Sequence, residues 1–379
     1  MVCAQDAGPL PIDTEYVRMQ RPDLHGCRDP SAEYLKAGLA QCIDPTKFFN
    51  TDWYAWQNPD WSNEHDAPYL HYLQKGCGEG RDPSPFVDIE KFVEATGGRV
   101  PKERIYHLIL GGLRAPALGV YEDVSDLERA QKAFLDGIHL LSHRMTCHRP
   151  PKPALVVCQA GRGARVDEWL GSEDREWDCL LNYYDAGGMR AGMGDFVVFQ
   201  KGTKFTAMKL LLERFTGLFA QYSHVLFIDD DVETSAVELN RLFALCRRHD
   251  LDLAQMSLTT GSWCNWQHLY TRKGVVGPRA VSAVEIMMPV FSSRALRWIR
   301  PTLGQSVSGF GLDLVWGQIV AEQGGRIAVL DEVSATHARP VDQAGGAYYQ
   351  YLRRHGINAK AELWTMLKRY GAPRDVITT

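Results

Sequence analysis

The sequence predicts an α/β protein with a mixed, mainly parallel sheet flanked by helices, plus a small helical module on its N-terminal side. Three observations predict this fold. After Pro153, apolar runs typical of buried strands alternate with amphipathic helical segments, as in a parallel sheet covered on both faces. Before that point a self-similar segment occurs twice, which is typical of one supersecondary unit used twice. A proline-rich stretch at 149–153 (RPPKP) separates the two regions.

The predicted helical repeat module covers residues 28–100 and follows an N-terminal extension of residues 1–27. The Asp44-Pro45 turn of the first copy recurs as Asp82-Pro83 in the second, and each turn is flanked by short helical segments. Four aromatic residues lie between the copies. They form either a sugar-stacking surface or the packing contacts that hold short helices together. These residues are Trp53, Tyr54, Trp56 and Trp61.

A helical connector at 101–150, with one amphipathic helix expected over 125–142, leads into the α/β domain at 151–355. A helical tail is expected at 356–379. Within the domain, strands are predicted at 154–159, 177–184, 196–199, 224–228, 251–258 and 326–330, and helices at 205–222 and 236–249. In such sheets ligands bind at the carboxyl ends of the strands, so the residues that follow each strand are the candidates for function.

Composition excludes several classes of protein. The net charge of −4 argues against binding to duplex nucleic acid, whose affinity depends on a basic surface. The 9 cysteines include no C-x-x-C pair, so scattered reduced thiols are expected rather than disulfides or a zinc ribbon. No apolar run is long enough to span a bilayer, and no signal peptide is recognisable. A cytoplasmic protein is therefore expected, with peripheral association at the inner membrane left open.

The most informative motif is the run Phe227–Glu233 (FIDDDVE), in which three carboxylates directly follow an apolar strand. Several negative charges at one point repel each other unless a positive group lies between them. A divalent cation held by oxygen ligands, Mg²⁺ or Mn²⁺ on a diphosphate, satisfies that need. The alternative is a solvated turn whose aspartates cap the next helix.

Two later motifs carry further candidates. Asp313 follows two glycines and begins a helix, where its carboxylate is either a general base or a first-turn residue that interacts with the helix dipole. Glu285 is the next candidate for a base. His337 and Arg339 follow a late strand, and they suit a metal ligand and a phosphate-binding group. A structural hydrogen-bonding role is the alternative for His337.

Basic residues follow two other strands. Lys201 and Lys204 flank a glycine at the start of a predicted helix, where amide groups and ammonium groups together favour an anion. Arg162 lies between two glycines after the first strand of the domain. Neither segment has the spacing of a P-loop or of the dinucleotide-binding glycine motif. Solvated turns remain the alternative at both places.

Together these motifs resemble the nucleotide-sugar glycosyltransferases of the GT-A fold. More specifically, residues 153–355 resemble the domain-of-unknown-function family 707, and the N-terminal repeat is similar to modules found beside bacterial polysaccharide glycosyltransferases. The resemblance rests on five segments, which are Lys201–Lys204, Phe227–Glu233, Val284–Phe291, Ser308–Trp316 and His337–Pro340.

The resemblance implies a role for each candidate. Asp229, Asp231 and His337 would bind Mn²⁺ or Mg²⁺, and Asp313 would be the base of an inverting transfer. The expected donor-binding residues are Lys201, Lys204, Asp230, Arg162 and Arg339. Three consecutive aspartates leave open which two bind the metal. Leu312 stands before Asp313, where the family usually has Glu, and this departure leaves the base and the stereochemical course open.

The implied function is metal-dependent transfer of a sugar from a nucleotide-sugar donor to a glycan or lipid-linked acceptor in bacterial surface polysaccharide synthesis. Two alternatives stay open at this point. A sugar-nucleotide nucleotidyltransferase has a similar sheet, but it usually carries a glycine-rich loop with a nearby lysine at the start of the domain. A carbohydrate-binding protein with a GT-A-like fold and no catalytic activity is the second alternative.

Overall fold

The structure is a computed structural model that describes residues 10–37, 43–64, 67–147, 149–190, 192–264, 266–340 and 346–375. The outer parts of the predicted N-terminal extension and C-terminal tail, 1–9 and 376–379, lie outside these residues. The chain divides into two compact units. One contains the chain up to Ala130 together with Arg353–Trp364, and the other contains Gln131–Leu352 and the chain from Thr365 onwards.

The first unit is helical. Its helices are α1 (Thr14–Gln20), α2 (Pro30–Ala37), α3 (Thr51–Gln57), α4 (Trp61–Glu64), α5 (Pro68–His71), α6 (Cys77–Glu79), α7 (Ile89–Ala95) and α8 (Lys102–Leu110). The next helix, α9 (Val124–Asp136), continues past the boundary into the second unit.

The sequence repeat in this unit has a structural cause. Asp44 accepts the Thr51 N–H at 2.7 Å, and Asp82 accepts the Ile89 N–H at 2.8 Å. Each aspartate therefore ties its D-P turn to the start of the following helix, α3 or α7. Those helices are also capped alike, by the side chains of Asn50 and Asp88. The two copies thus share the same turn and the same kind of helix N-cap.

The aromatic residues between the copies pack the helices together. Trp53 and Tyr54 are 2% and 0% exposed, which leaves no face for a sugar. Trp56 stacks on Trp364, with ring centroids 6.3 Å apart. The packing interpretation is therefore confirmed for Trp53 and Tyr54, and Trp56 is partly buried against the same cluster.

The second unit contains the sheet. Its strands are β1 (Leu140–Arg144), β2 (Ala154–Ala160), β3 (Trp177–Tyr183), β4 (Phe196–Gln200), β5 (His224–Asp229), β6 (Val232–Glu233), β7 (Leu253–Leu258), β8 (Pro278–Ala280), β9 (Val290–Ser292) and β10 (Ile327–His337). The strand order is β1-β4-β3-β2-β5-β9-β7-β10-β6, and β8 also pairs with β10. Strands β4, β3, β2 and β5 run parallel to their neighbours within that group, as do β7 and β10.

The remaining helices of the chain interleave with these strands or follow them. They are α10 (Asp167–Leu170), α11 (Lys204–Arg214), α12 (Thr216–Phe219), α13 (Ala236–Arg248), α14 (Ser293–Ile299), α15 (Leu312–Glu322), α16 (Ala347–Arg354) and α17 (Ala359–Tyr370). The predicted α/β fold with a mainly parallel sheet is confirmed. No helix in the described ranges has the length and apolarity needed to cross a bilayer.

The structure corrects two predicted helices. The helix expected over 125–142 ends at Asp136, and Leu140–Arg144 instead forms an edge strand antiparallel to β4. Gly137 follows the helix and removes the side chain that would favour its continuation. The helix expected over 205–222 breaks at Phe215 into α11 and α12. Short β9, inserted antiparallel between β5 and β7, was not predicted.

The strand order reverses beside β2. From β2 the chain moves to β3 and β4 on one side and then returns to β5 on the other. A crevice forms where the order reverses in this way, beyond the carboxyl ends of the two central strands. Residues 161–163 after β2 and the aspartates at the end of β5 lie at this crevice.

Candidate functional site

The three aspartates lie where β5 leaves the sheet. Asp229 is the last residue of β5, and Asp230 and Asp231 form the turn into β6. Strand β6 pairs with the end of β10, where Val232 lies opposite His337. This pairing brings the aspartate turn to the last residue of a strand from much later in the chain. Each aspartate then faces a different cationic side chain.

Asp229 pairs with Lys204, the first residue of α11. The Lys204 ammonium lies 2.9 Å from Asp229 Oδ1 and donates to the carbonyls of Ile286 and Met287 at 2.7 and 2.9 Å. These three protein oxygens use its three N–H donors. Burial raises the pKa of Asp229, although the nearby Lys204 charge opposes that shift. Lys204 therefore joins α11, the segment before β9 and the aspartate turn.

Asp230 holds the turn against the loop after β2. Its Oδ2 accepts the Gly161 N–H at 2.8 Å and the Tyr184 hydroxyl at 3.3 Å, and Arg339 approaches Oδ1 at 4.0 Å. Burial raises the pKa of Asp230, while the Gly161 N–H opposes that shift. Gly188 lies so close to this loop that a Cβ there would be 2.5 Å from the Gly161 carbonyl carbon. The loops after β2 and β3 are thus packed into one wall of the crevice.

Asp231 faces His337 across 3.5 Å, measured from Oδ1 to Nε2. The other imidazole nitrogen, Nδ1, lies 2.7 Å from the Trp263 carbonyl oxygen and donates to it. Burial lowers the pKa of His337, but the hydrogen bond to Asp231 and the Trp263 carbonyl outweigh burial and raise it to about 9. Burial raises the pKa of Asp231, but His337 and Arg339 bring it below its ordinary value.

Asp231 and His337 could hold a small divalent cation once His337 Nε2 has lost its proton, because only a neutral imidazole nitrogen binds a metal. Metal–ligand bonds of roughly 2.1 Å place two neighbouring ligands about 3.0–3.4 Å apart, close to the separation found here. The Trp263 carbonyl orients His337 as outer hydrogen-bond partners orient metal-binding histidines. Among the described residues, no three His, Cys, Asp or Glu side chains are grouped to hold a metal. A cation here would depend on substrate oxygens and water for its other ligands, as Mg²⁺ commonly does.

Two further carboxylates follow, of which Glu285 interacts electrostatically with Asp229 and His337, and Asp313 with Glu285. Glu285 accepts the Met287 N–H at 2.6 Å, and its own N–H donates to Gln255 of β7 at 2.7 Å. Asp313 lies in the first turn of α15 and accepts the Leu314 N–H at 2.8 Å. Burial, reinforced by the negative charge of Glu285, raises the pKa of Asp313 to about 7. A carboxyl group with this pKa exchanges its proton near neutral pH, as a general base must.

The other basic candidates are exposed. Arg162 is 78% exposed and lies 3.7 Å from Asp185, on the loop after β3. Lys201 donates to the Tyr184 carbonyl at 3.2 Å. Arg339 is 54% exposed and also reaches the Gly163 carbonyl at 3.4 Å. All three lie around the crevice and are able to turn towards an anion, whereas the donors of Lys204 are already used.

The glycines before Asp313 allow close packing within the protein. Gly309, with φ +84°, lies so close to the Phe205 ring that a Cβ would be 2.0 Å from it. Trp316 is buried and donates to Thr302 Oγ1 at 2.9 Å, so it anchors α15 in the core. The motif around Asp313 is therefore a tightly packed helix start that holds the carboxylate in place.

Sequence reasoning missed Trp263 and Tyr184, and it named Glu285 only as a second base. Tyr184 was predicted as the last residue of the strand 177–184, whereas β3 ends at Tyr183 and Tyr184 directly follows it. Because residues after strands were the candidates, a strand predicted one residue shorter would have included Tyr184. Trp263 lies five residues after β7 in a loop with no recognisable motif. Its contact with His337 depends on the pairing of distant strands, which no local pattern encodes.

Comparisons with known proteins give no family. No family model matches the chain, and no curated protein matches it. The crystal structure of S. aureus TarS is similar at a TM-score of 0.34 and 11% identity, over 48% of this chain and 35% of that chain. S. aureus TarS 1-349 in complex with UDP-GlcNAc is similar at a TM-score of 0.32 and 12% identity, over 52% of this chain and 60% of that chain. A197 from STIV is similar at a TM-score of 0.28 and 15% identity, over 48% of this chain and 83% of that chain.

This chain therefore spans from about a third to three fifths of the two TarS chains. At these TM-scores the likeness carries no argument about activity. The resemblance of the sequence motifs to the domain-of-unknown-function family 707 stays a prediction, as do the roles of the site residues.

Proposed function

We propose that this protein is a metal-dependent glycosyltransferase that moves a sugar from a nucleotide-sugar donor to a glycan or lipid-linked acceptor. The observation that carries the proposal is the Asp231–His337 pair, which lies beside the crevice between β2 and β5. A nucleotide-sugar donor needs cationic groups near its phosphates, and Arg162, Arg339 and Lys201 support the proposal because their side chains are exposed on neighbouring loops.

The donor nucleotide occupies the crevice where the strand order reverses. The loops after β2 and β3 form its wall, held together by Asp230, Gly161 and Tyr184. Arg162 and Arg339 extend from the rim. The Arg162 side chain is 78% exposed and the Arg339 side chain is 54% exposed. Their guanidinium groups match the oxygens of a diphosphate. Lys201 is the third exposed cation at this rim.

Asp231 and His337 hold the Mn²⁺ or Mg²⁺ ion of this proposal. When bound, the cation neutralises the charge that develops on the leaving diphosphate. Lys204 keeps Asp229 beside this pair by neutralising its carboxylate and by holding the Ile286 and Met287 carbonyls. The motif resemblance implies Asp229 as a ligand, but among the described residues no three such side chains are grouped to hold a metal, so in this proposal Asp229 is a charged neighbour that Lys204 holds.

Asp313 accepts the proton of the attacking acceptor hydroxyl. As the new bond forms between that oxygen and the anomeric carbon, the bond from the anomeric carbon to the diphosphate oxygen breaks. The bond's electron pair leaves with the nucleoside diphosphate, and the proton moves to the Asp313 carboxylate. Attack from the side opposite the leaving group inverts the anomeric centre. A pKa of about 7 keeps a useful fraction of Asp313 ionised at neutral pH.

A panel of UDP-, GDP- and CMP-sugars incubated with the full chain and Mn²⁺ or Mg²⁺ tests the proposal. The expected result is metal-dependent release of the nucleoside phosphate that the donor carries, lost in Asp231→Ala and retained in Glu322→Ala. Glu322 is an exposed carboxylate on α15 and serves as the matched control. Pyrophosphate formation would instead indicate a nucleotidyltransferase, and binding without turnover would indicate a carbohydrate-binding protein.

A further inference from the structure

Trp263 is an exposed aromatic residue joined to the proposed metal pair. Its side chain is on the surface, at 54% exposure for the residue. Its carbonyl accepts from His337 Nδ1 at 2.7 Å, and its N–H donates to the His337 carbonyl at 3.0 Å. Two hydrogen bonds between the same two residues set the place of Trp263 relative to His337.

The neighbouring backbone is held equally well. The Ser262 hydroxyl accepts the His337 N–H at 3.1 Å, and the Tyr270 hydroxyl donates to the Ser262 carbonyl at 2.9 Å. The loop after β7 is thus tied to the end of β10 at Ser262 and at Trp263. These contacts fix the backbone from which the indole extends, while about half of the residue remains in water. Pre-positioning of this kind lowers the entropy lost when a ligand binds.

We propose that the Trp263 indole stacks on a pyranose ring that lies beside the metal pair, an inference that rests on the proposed glycosyl transfer. One face of a pyranose presents several C–H groups, and a flat indole buries them while the sugar hydroxyls stay hydrated or bind polar side chains. Polar side chains lie nearby, because Thr259 and Ser262 belong to the same loop and Thr259 contacts Thr336 of β10 at 2.7 Å. An aromatic face with a few polar groups is typical of small-ligand sites.

The strand order indicates which part of the substrate reaches Trp263. Strand β2 borders β5 on one side, and β9 followed by β7 lies on the other. A nucleotide in the β2–β5 crevice is therefore on the far side of Asp231 from the loop that carries Trp263. The sugar next to Trp263 is either the one carried by the donor or one in the acceptor glycan. Both sources offer the same ring chemistry.

Calorimetric titration of the full-length protein separates these sources and tests the role of Trp263. The ligands are UDP, GDP, UDP-GlcNAc, UDP-glucose and GDP-mannose with Mn²⁺, and chitotriose and maltotriose alone. We expect Trp263→Ala to weaken one class of sugar-bearing ligand about tenfold, while UDP or GDP binds as in wild type. Trp263→Phe, which keeps an aromatic face, should restore most of the affinity. Val276→Ala, at a residue 89% exposed, is the matched control.

Each outcome decides the proposal. Weaker binding of nucleotide sugars alone assigns the donor sugar to Trp263, and weaker binding of oligosaccharides alone assigns the acceptor. Wild-type affinities for every sugar-bearing ligand in Trp263→Ala overturn the stacking role and leave the glycosyltransferase proposal intact. A wild-type protein that binds none of these nucleotides or sugars overturns both. The thermal midpoint of Trp263→Ala should match wild type, since the hydrogen bonds that hold the loop come from its backbone.

Discussion

Asp231 Oδ1 and His337 Nε2 lie 3.5 Å apart at the carboxyl edge of the sheet, and the Trp263 carbonyl holds the imidazole from its other nitrogen. The pair exists because β6 and the end of β10 hydrogen-bond to each other. This pair is therefore the place at which the proposed cation is tested first.

Removal of either partner should abolish metal-dependent nucleotide binding. Asp231→Ala and His337→Ala are each expected to lose the rise in thermal midpoint that Mn²⁺ plus UDP or GDP produces in wild type, because each variant has half of the proposed protein ligands. Differential scanning fluorimetry with and without EDTA measures this. Glu322→Ala should respond as wild type. A full Mn²⁺-dependent rise in both variants would place the metal elsewhere.

Lys204 should contribute to folding stability, whereas Lys201 should contribute to nucleotide binding. Lys204→Met leaves two carbonyls and the Asp229 carboxylate without their donor, so the free energy of unfolding should fall by about 1–3 kcal/mol. Lys201→Met removes an exposed group and should change stability by less than about 0.5 kcal/mol. Nucleotide affinity should fall in Lys201→Met. Urea unfolding and calorimetry measure the two effects, and equal destabilisation by both substitutions would contradict this division.

Loss of the Asp313 carboxylate should slow transfer without loss of donor binding. Asp313→Asn keeps the size of the side chain and removes the proton acceptor, so turnover should fall by roughly 10²–10⁴-fold with little change in donor affinity. Initial rates give the turnover, and calorimetry on the same preparation gives the donor affinity. Reduced donor affinity would make Asp313 a donor-recognition residue. Near-normal turnover would point to a retaining mechanism or to Glu285 as the base.

The raised pKa of Asp313 predicts opposite pH effects on rate and stability. Transfer needs the ionised carboxylate, so the rate should rise with pH through about 7. Folding favours the protonated form because the pKa is higher in the folded than in the unfolded chain. The stability this contributes is complete below the unfolded pKa and is lost as pH rises through about 7. Asp313→Asn should therefore unfold at higher denaturant than wild type at pH 8, and at a similar midpoint near pH 4. If the midpoints of Asp313→Asn and wild type differ by the same amount at pH 4 and pH 8, the raised pKa of Asp313 is refuted.

The packed loops of the crevice should tolerate no side chain at Gly188. A Cβ at that position would lie 2.5 Å from the Gly161 carbonyl carbon, so Gly188→Ala must push apart the loops after β2 and β3. Because the same loop carries the Gly161 N–H that binds Asp230, nucleotide affinity should fall several-fold. Gly217→Ala, at a helical position with no atom within 4 Å of the new Cβ, is the control. Calorimetry with UDP and GDP compares the affinities of Gly188→Ala, Gly217→Ala and wild type. Equal affinities of Gly188→Ala and wild type would show that the loops do not contact the nucleotide.

Much of the fold could be predicted because its signals are local. Apolar runs such as 154–159 and 224–228 are typical of strands buried on both faces, and the structure confirms strands there, each one residue longer than predicted. The predicted strand 224–228 is followed directly by three aspartates. The sequence alone therefore placed their carboxylates at the carboxyl edge of the sheet. Leu140–Arg144 was misread because it is a largely exposed edge strand directly after an amphipathic helix, where apolar periodicity is weak.

The sequence by itself determined which groups are available at this edge: three aspartates after one strand, a histidine after another and a carboxylate at a helix start. Tertiary structure alone decided how they are paired. Lys204 faces Asp229 rather than solvent because α11 packs beside β5, and Trp263 faces His337 because β7 and β10 are neighbours. In the helical unit, Lys360 reaches Asp82 at 2.5 Å from the other end of the chain. Such contacts depend on chain segments that meet only after folding, so their residues carry no local pattern from which the pairing could be inferred.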